Sequence, residues 1–100
     1  MKLGILATKV RHLGHIVGLT RAAIDKGHEV DIFAMDEGTR LLEDREFSEL
    51  IRLDGVSISF CRHSAEEYGI DATELSEKIV RGSQLNNAMM NHSSDRVISL

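Results

Sequence analysis

Cys61 is the only cysteine in the 100-residue chain, and its sequence neighbours favour the ionised form. A thiol acts as a nucleophile only as the thiolate, and an unperturbed cysteine ionises near a pKa of about 8.5. Cys61 follows the alternating run Val56-Ser57-Ile58-Ser59-Phe60 and precedes Arg62 to Tyr68, a segment suited to a short helix that ends at Gly69. A helix start presents unpaired N–H groups that stabilise negative charge. Arg62 and His63 add side chains able to carry positive charge beside the sulfur. A cysteine so placed suits sulfur transfer: the thiolate takes sulfane sulfur from a donor persulfide, holds it as Cys61–S–SH and passes it to an acceptor thiol. The plainer reading is that free cysteines commonly pack as small buried hydrophobes. Position alone leaves both open.

Ser64 stands where a C-x-x-C pair would have its second thiol. Dithiol cycling within the chain is therefore excluded, and any disulfide must form with another chain or a small thiol. His12 and His15 lie three apart, near enough to share a metal if Cys61 and His63 converge on them. Histidines at this spacing are more often solvated or capping residues. Alternatively they sit at the same sheet edge as Cys61 and help ionise it. Neither a G-x-G-x-x-G fingerprint nor a phosphate-loop G-K-[ST] is present, which argues against nucleotide binding. Glu43, Asp44, Glu46, Glu66 and Glu67 read as solvated helix faces, not as an acid/base pair. No cofactor and no metal is expected.

These groups need a scaffold, and the hydrophobic periodicity supplies one. Lys2 to Ala7 is a short apolar run of the kind that forms a buried strand. From Arg11 to Lys26 the residues Leu13, Ile16, Val17, Thr20, Ala23 and Ile24 form one helical stripe. Gly14 and Gly18 interrupt it at a cost of about 1 kcal/mol each, which suggests close packing or ligand approach. Gly27 fits a helix C-cap, and Glu29 to Met35 is a second strand, completing a right-handed βαβ unit. Asp36 to Asp44 reads as a loop with a weak helical turn, and Glu46 to Leu53 as a helix. Val56 to Phe60 is the third strand, with Ser57 and Ser59 outward. Asp71 or Thr73 caps an expected helix from Glu74 to Val80, and Gly82-Ser83 breaks the chain. Leu85, Ala88, Met89 and His92 mark a last helix, and Arg96 to Leu100 a last strand. Met89-Met90 is read as core or subunit interface. Alternating strands and helices predict a mainly parallel sheet covered on both faces, a Rossmann- or flavodoxin-like half. Reactive groups collect at the carboxyl ends of strands in such sheets, where Cys61 falls.

The length fits one domain, residues 1–100, with a thin core, for which self-association is a common remedy. The net charge is −4 and no Lys/Arg run exceeds two residues, so phosphate-driven nucleic-acid binding is not expected. No apolar stretch approaches the roughly 20 residues of a membrane helix. Met1 to Ala7 begins like a signal peptide, but Arg11, His12 and His15 follow too closely for an apolar region. A cytoplasmic protein is expected.

The run Val56 to Cys61, followed by seven residues and then Gly69-Ile70, resembles the central stretch of the DsrE/TusD family of sulfur carriers. There an apolar strand delivers a cysteine into a short helix ending in Gly and an aliphatic residue. Gly82-Ser83, Leu85 and the closing Ser94-Asp95-Arg96-Val97-Ile98-Ser99-Leu100 are similar to the end of that family, with its "DRV" strand. The resemblance implies a three-layer α/β fold, a homotrimer or homohexamer, and a persulfide on Cys61. It also implies relay proteins as sulfur donor and acceptor, feeding tRNA thiolation or sulfur oxidation. The segment after the second strand is short for the family, which alters the surroundings of the site. The alternative of another class is a non-catalytic oligomeric module that binds a protein or small ligand, with Cys61 merely structural.

Overall fold

Five parallel strands form one sheet: β1 Lys2–Ala7, β2 Glu29–Ala34, β3 Val56–Cys61, β4 Val80–Gly82 and β5 Arg96–Ser99, in the order β4-β3-β2-β1-β5. Four helices connect them: α1 Leu13–Asp25, α2 Arg45–Ser48, α3 Arg62–Glu67 and α4 Gln84–Ser93. Short 3-10 segments cover Val10–His12, Asp36–Glu43 and Glu49–Arg52. The computed structural model describes all of residues 1–100.

The two sheet faces are unequally clothed. Alternation along the strands sends Ile5, Ala7, Val30, Ile32, Ala34, Val56, Ile58 and Phe60 to one face. There they meet Ile16 and Val17 of α1, Leu41 and Leu42 of the 36–43 segment, Phe47 of α2, Leu50 and Ile51, and Ala65 of α3. The other face carries a cluster of three buried residues, Phe33, Cys61 and Met90, flanked by Leu6, Met35 and Val97. A single helix, α4, crosses that face.

The expected α/β architecture stands, with three local differences. Glu74 to Val80 is not helical: the segment runs through turns, Ile79 drops into the core, and Val80–Gly82 pairs with β3 as a fifth strand. Asp71 accepts from the Thr73 amide at 2.9 Å and closes a local turn instead of capping a helix. Seven residues are too few to hold a helix without tertiary support, so strand pairing wins. The helix expected over 46–53 is a four-residue α2, capped by Asp44 accepting from the Phe47 amide at 3.1 Å, which then tightens to 3-10. Ser59, expected outward, is buried, and Cys61 is the last residue of β3, both on the face that α4 covers. Met90 is buried and Met89 exposed. Nothing approaches the positions a Cβ would take at Gly14 or Gly18, so close packing does not account for either. No helix is long and apolar enough to cross a membrane.

Candidate functional site

The chain leaves β3 toward one sheet face as α3 and leaves β4 toward the other as α4. Strand ends whose connections part in this way leave a crevice between them, where α/β sheets hold ligands. Cys61 ends β3 and is paired with Gly82, which ends β4, so the thiol sits at the root of this crevice. The opening is a cleft of about 780 Å³ lined by both strand ends, α3, the first turn of α4 and the 35–36 turn. A depression of similar size between residues 42–52 and 71–78 holds neither cysteine nor histidine.

Three backbone devices shape the cleft. Asp36 adopts a left-handed conformation (φ 51°), which an Asp tolerates better than most residues, and turns the chain sharply after β2. Met35 is left lining the cleft. Gly82 lies where a Cβ would run into the side-chain carbonyl of Asn86. That carbonyl accepts from the Ser83 amide at 3.0 Å, while the Ser83 hydroxyl accepts from the Leu85 amide at 3.2 Å. This reciprocal cap fixes the start of α4, and so Gln84, its first residue, beside the thiol.

Cys61 is 5 % exposed, packed with Phe33 and Met90, and it lines the cleft. Burial pushes its thiol pKa up, but the hydrogen-bond donors together outweigh it and the net direction is down. These donors are the Ser64 hydroxyl and amide, the Gln84 side chain and the His63 amide. Cys61 is the N-cap of α3, so the amides of His63 and Ser64 belong to the second and third helical residues. The neutral thiol makes no cap bond, because sulfur is a weak acceptor; the thiolate faces donors that an oxygen cap would use. No charged side chain is among the causes of the shift.

The two residues after the cysteine lie at the rim. Arg62 is exposed and lines the cleft. His63 is also exposed, and its Nε2 pairs with Glu67 Oε1 at 2.9 Å, so the ring is directed along α3 while the backbone amide serves the sulfur. The rings of His12 and His15 are tilted against each other, with centroids 5.8 Å apart, and neither residue lines the cleft. No group of three His, Cys, Asp or Glu side chains converges as metal ligands would. The sequence reading missed Ser64, Gln84 and Met35. Ser83-x-x-Asn86 carried the usable signal, a capping pattern that places Gln84 at a helix start. Without β4, nothing connected that start to Cys61.

The family model for DsrE/DsrF-like proteins matches residues 14–100. The chain belongs to the DsrE/DsrF-like family. Its fold is that of the YchN protein of E. coli, with a TM-score of 0.81 at 16% identity over 100% of this chain and 99% of that one. Two proteins of unknown function are also similar. BT1422 of Bacteroides thetaiotaomicron has a TM-score of 0.71 and 18% identity, covering 99% of this chain and 94% of its own. MTH1491 of Methanobacterium thermoautotrophicum has a TM-score of 0.69 and 17% identity, covering 99% and 96%. Identities this low speak for the DsrE fold alone. Among curated proteins no sequence matches significantly.

Proposed function

We propose that this DsrE-family protein is an intracellular sulfur carrier that holds sulfane sulfur as a persulfide on Cys61. The observation that carries the reading is the placement of a lone thiol at the end of β3, at the N-cap of α3 and at the root of an open crevice. In the loading step the Cys61 thiolate attacks the terminal sulfur of a donor persulfide R–S–SH. A new S–S bond forms, the donor's S–S bond breaks, and R–S⁻ leaves, giving Cys61–S–SH. In unloading, an acceptor thiolate attacks that same terminal sulfur and Cys61 leaves as thiolate. Neither step needs an external oxidant or reductant. Ser64, Gln84 and the two backbone amides stabilise the leaving and attacking thiolate, while Arg62 and His63 stand where a partner protein would first touch the rim. His12 and His15 lie outside this cleft in a single copy.

Family membership supports relay proteins as donor and acceptor, and assembly as a homotrimer or homohexamer. Val80, Leu85 and Met89 are all at least half exposed on the thinly covered side, which favours self-association there. The near-complete covering of Cys61 favours the second reading, an oligomeric binding module with a structural cysteine. Intact mass after incubation with a sulfane-sulfur donor separates the two. A carrier gains about 32 Da, one sulfur, at the persulfidation step, and Cys61→Ser does not. No gain, with Cys61 resisting alkylation until the protein unfolds, would establish the module instead.

A further inference from the structure

Three side-chain amides run in line along α4 toward the thiol. Asn91 Nδ2 donates to the backbone carbonyl of Asn87 at 2.8 Å and to Asn87 Oδ1 at 2.9 Å. Asn87 Nδ2 donates to Gln84 Oε1 at 3.2 Å. Gln84 Nε2 donates to Met35 Sδ at 3.8 Å, a long bond of the kind sulfur accepts. Met35 packs against the cluster that holds Cys61, and Gln84, Met35 and Cys61 line the same cleft, so the amide lies next to the thiol. Positions 84, 87 and 91 are three and four apart, so they share one side of the helix.

The direction of this chain is fixed at its far end. A backbone carbonyl can only accept, so Asn91 must turn its NH2 group toward Asn87. That group also meets the Asn87 side chain, which must offer its oxygen and send its own NH2 on toward Gln84. Gln84 must then accept with Oε1, leaving Nε2 on the sulfur side. Amides bonded in series polarise one another, which strengthens the terminal donor.

We propose that Gln84, oriented by Asn87 and Asn91, is the donor that steadies the anionic sulfur of Cys61 and of the persulfide formed on it. The proposal rests on the carrier reading above and adds the element that tunes it. Gln84 acts on the reacting sulfur; Asn87 and Asn91 are positioning residues that act through it. A neutral donor suits a carrier because it stabilises the thiolate without fixing an anionic partner in place. The charged groups that face the cleft are Asp36 after β2, Arg62, His63, Glu66 and Glu67 on α3, and Arg81 on β4. They nearly balance in sign, which leaves the thiol to neutral donors: the amide chain ending at Gln84 beside those of Ser64 and His63.

The test is the pH profile of Cys61 alkylation by iodoacetamide in the full chain, for wild type, Gln84→Leu, Asn87→Asp and the double variant. Gln84 is exposed and Asn87 half-buried, and an unchanged urea midpoint confirms that each variant folds. Gln84→Leu is expected to raise the midpoint and slow alkylation at pH 7 about tenfold, the lower end of the scale of one hydrogen bond to a charged group. Asn87→Asp leaves only acceptors at that position, so Gln84 must turn its NH2 away from the sulfur, and the same slowing is expected. The double variant should be no slower than Gln84→Leu alone, since both changes remove one donor. Additive slowing would mean that the new carboxylate acts only by its charge, and would overturn the relay. An unchanged midpoint in Gln84→Leu would overturn the role of Gln84 while leaving a reactive Cys61, and with it the carrier reading, intact. An inert wild-type Cys61 would bring down both.

Discussion

The two faces of the sheet are made from the same strands but do different work. On one, seventeen buried residues interlock beneath α1, α2, α3 and the 3-10 segments. On the other, the buried apolar cluster has three members, Phe33 and Cys61 from the sheet and Met90 from the one helix above it. Alternation along β3 assigns the faces: Val56, Ile58 and Phe60 stabilise, while Ser57, Ser59 and Cys61 look toward α4. A reactive group needs access and polar partners, both of which a close-packed interior excludes. Segregating the thiol to the thin face lets the thick one carry the folding energy.

The comparison breaks most visibly under large-to-small substitution. Phe47 is fully buried on the thick face, and Phe47→Ala is expected to cost about 3–5 kcal/mol, read as a lower urea midpoint. The alkylation rate of Cys61 in the folded protein should not change. Met90 packs with Cys61 and Phe33 on the thin face, beside an open edge where the structure can relax. Met90→Ala is therefore expected at the low end for such changes, about 2 kcal/mol, with a clear increase in Cys61 alkylation. Equal effects of the two variants on the thiol would show that the faces are not independent.

How much of this division was legible in the sequence depended on the length of each signal. Six-residue strands and the thirteen-residue α1 announce themselves through period and burial, as Ile16, Val17 and Thr20 show. Val80–Gly82 is three residues long, exposed at Val80 and built on a glycine, and it becomes a strand only by pairing with Ser59, Phe60 and Cys61. Missing it hid the crevice, and with it Gln84 and the approach of α4. Cys61 itself was found because a strand-to-helix junction is visible locally. Its donors were not, since one is a hydroxyl three residues on and another lies on a helix reached only through β4.

Gly14 and Gly18 sharpen the contrast from the outer surface of the thick face. Both are exposed in α1 with open space around them, and neither has a positive φ. Gly14→Ala and Gly18→Ala should each raise stability by about 0.4–1 kcal/mol, chiefly by narrowing the unfolded ensemble. Thermal midpoints should rise and persulfide uptake should not change. A loss of stability would mean that a surface unaccounted for in one copy, such as a subunit contact, needs these glycines bare.

The smallest expected effect belongs to the thin face. Asp31 is half-buried in β2 on the side of α4, with Lys2 Nζ 3.8 Å away. Burial pushes its carboxyl pKa up, and the Lys2 charge only partly draws it back. An acid whose folded pKa exceeds its unfolded one binds more protons when folded, so stability falls as pH rises through the interval between them. Above that interval the charged carboxylate is a standing cost of the fold; below the unfolded value of 3.8 the cost is gone. Asp31→Asn should therefore be slightly more stable than wild type at pH 7, with the difference shrinking as the pH is lowered through the acid range. Urea midpoints measured at pH 7, 5 and 4 check the slope. The opposite slope would mean that the Lys2 ion pair outweighs burial, making the thin face a source of electrostatic stability and not a tolerated weakness.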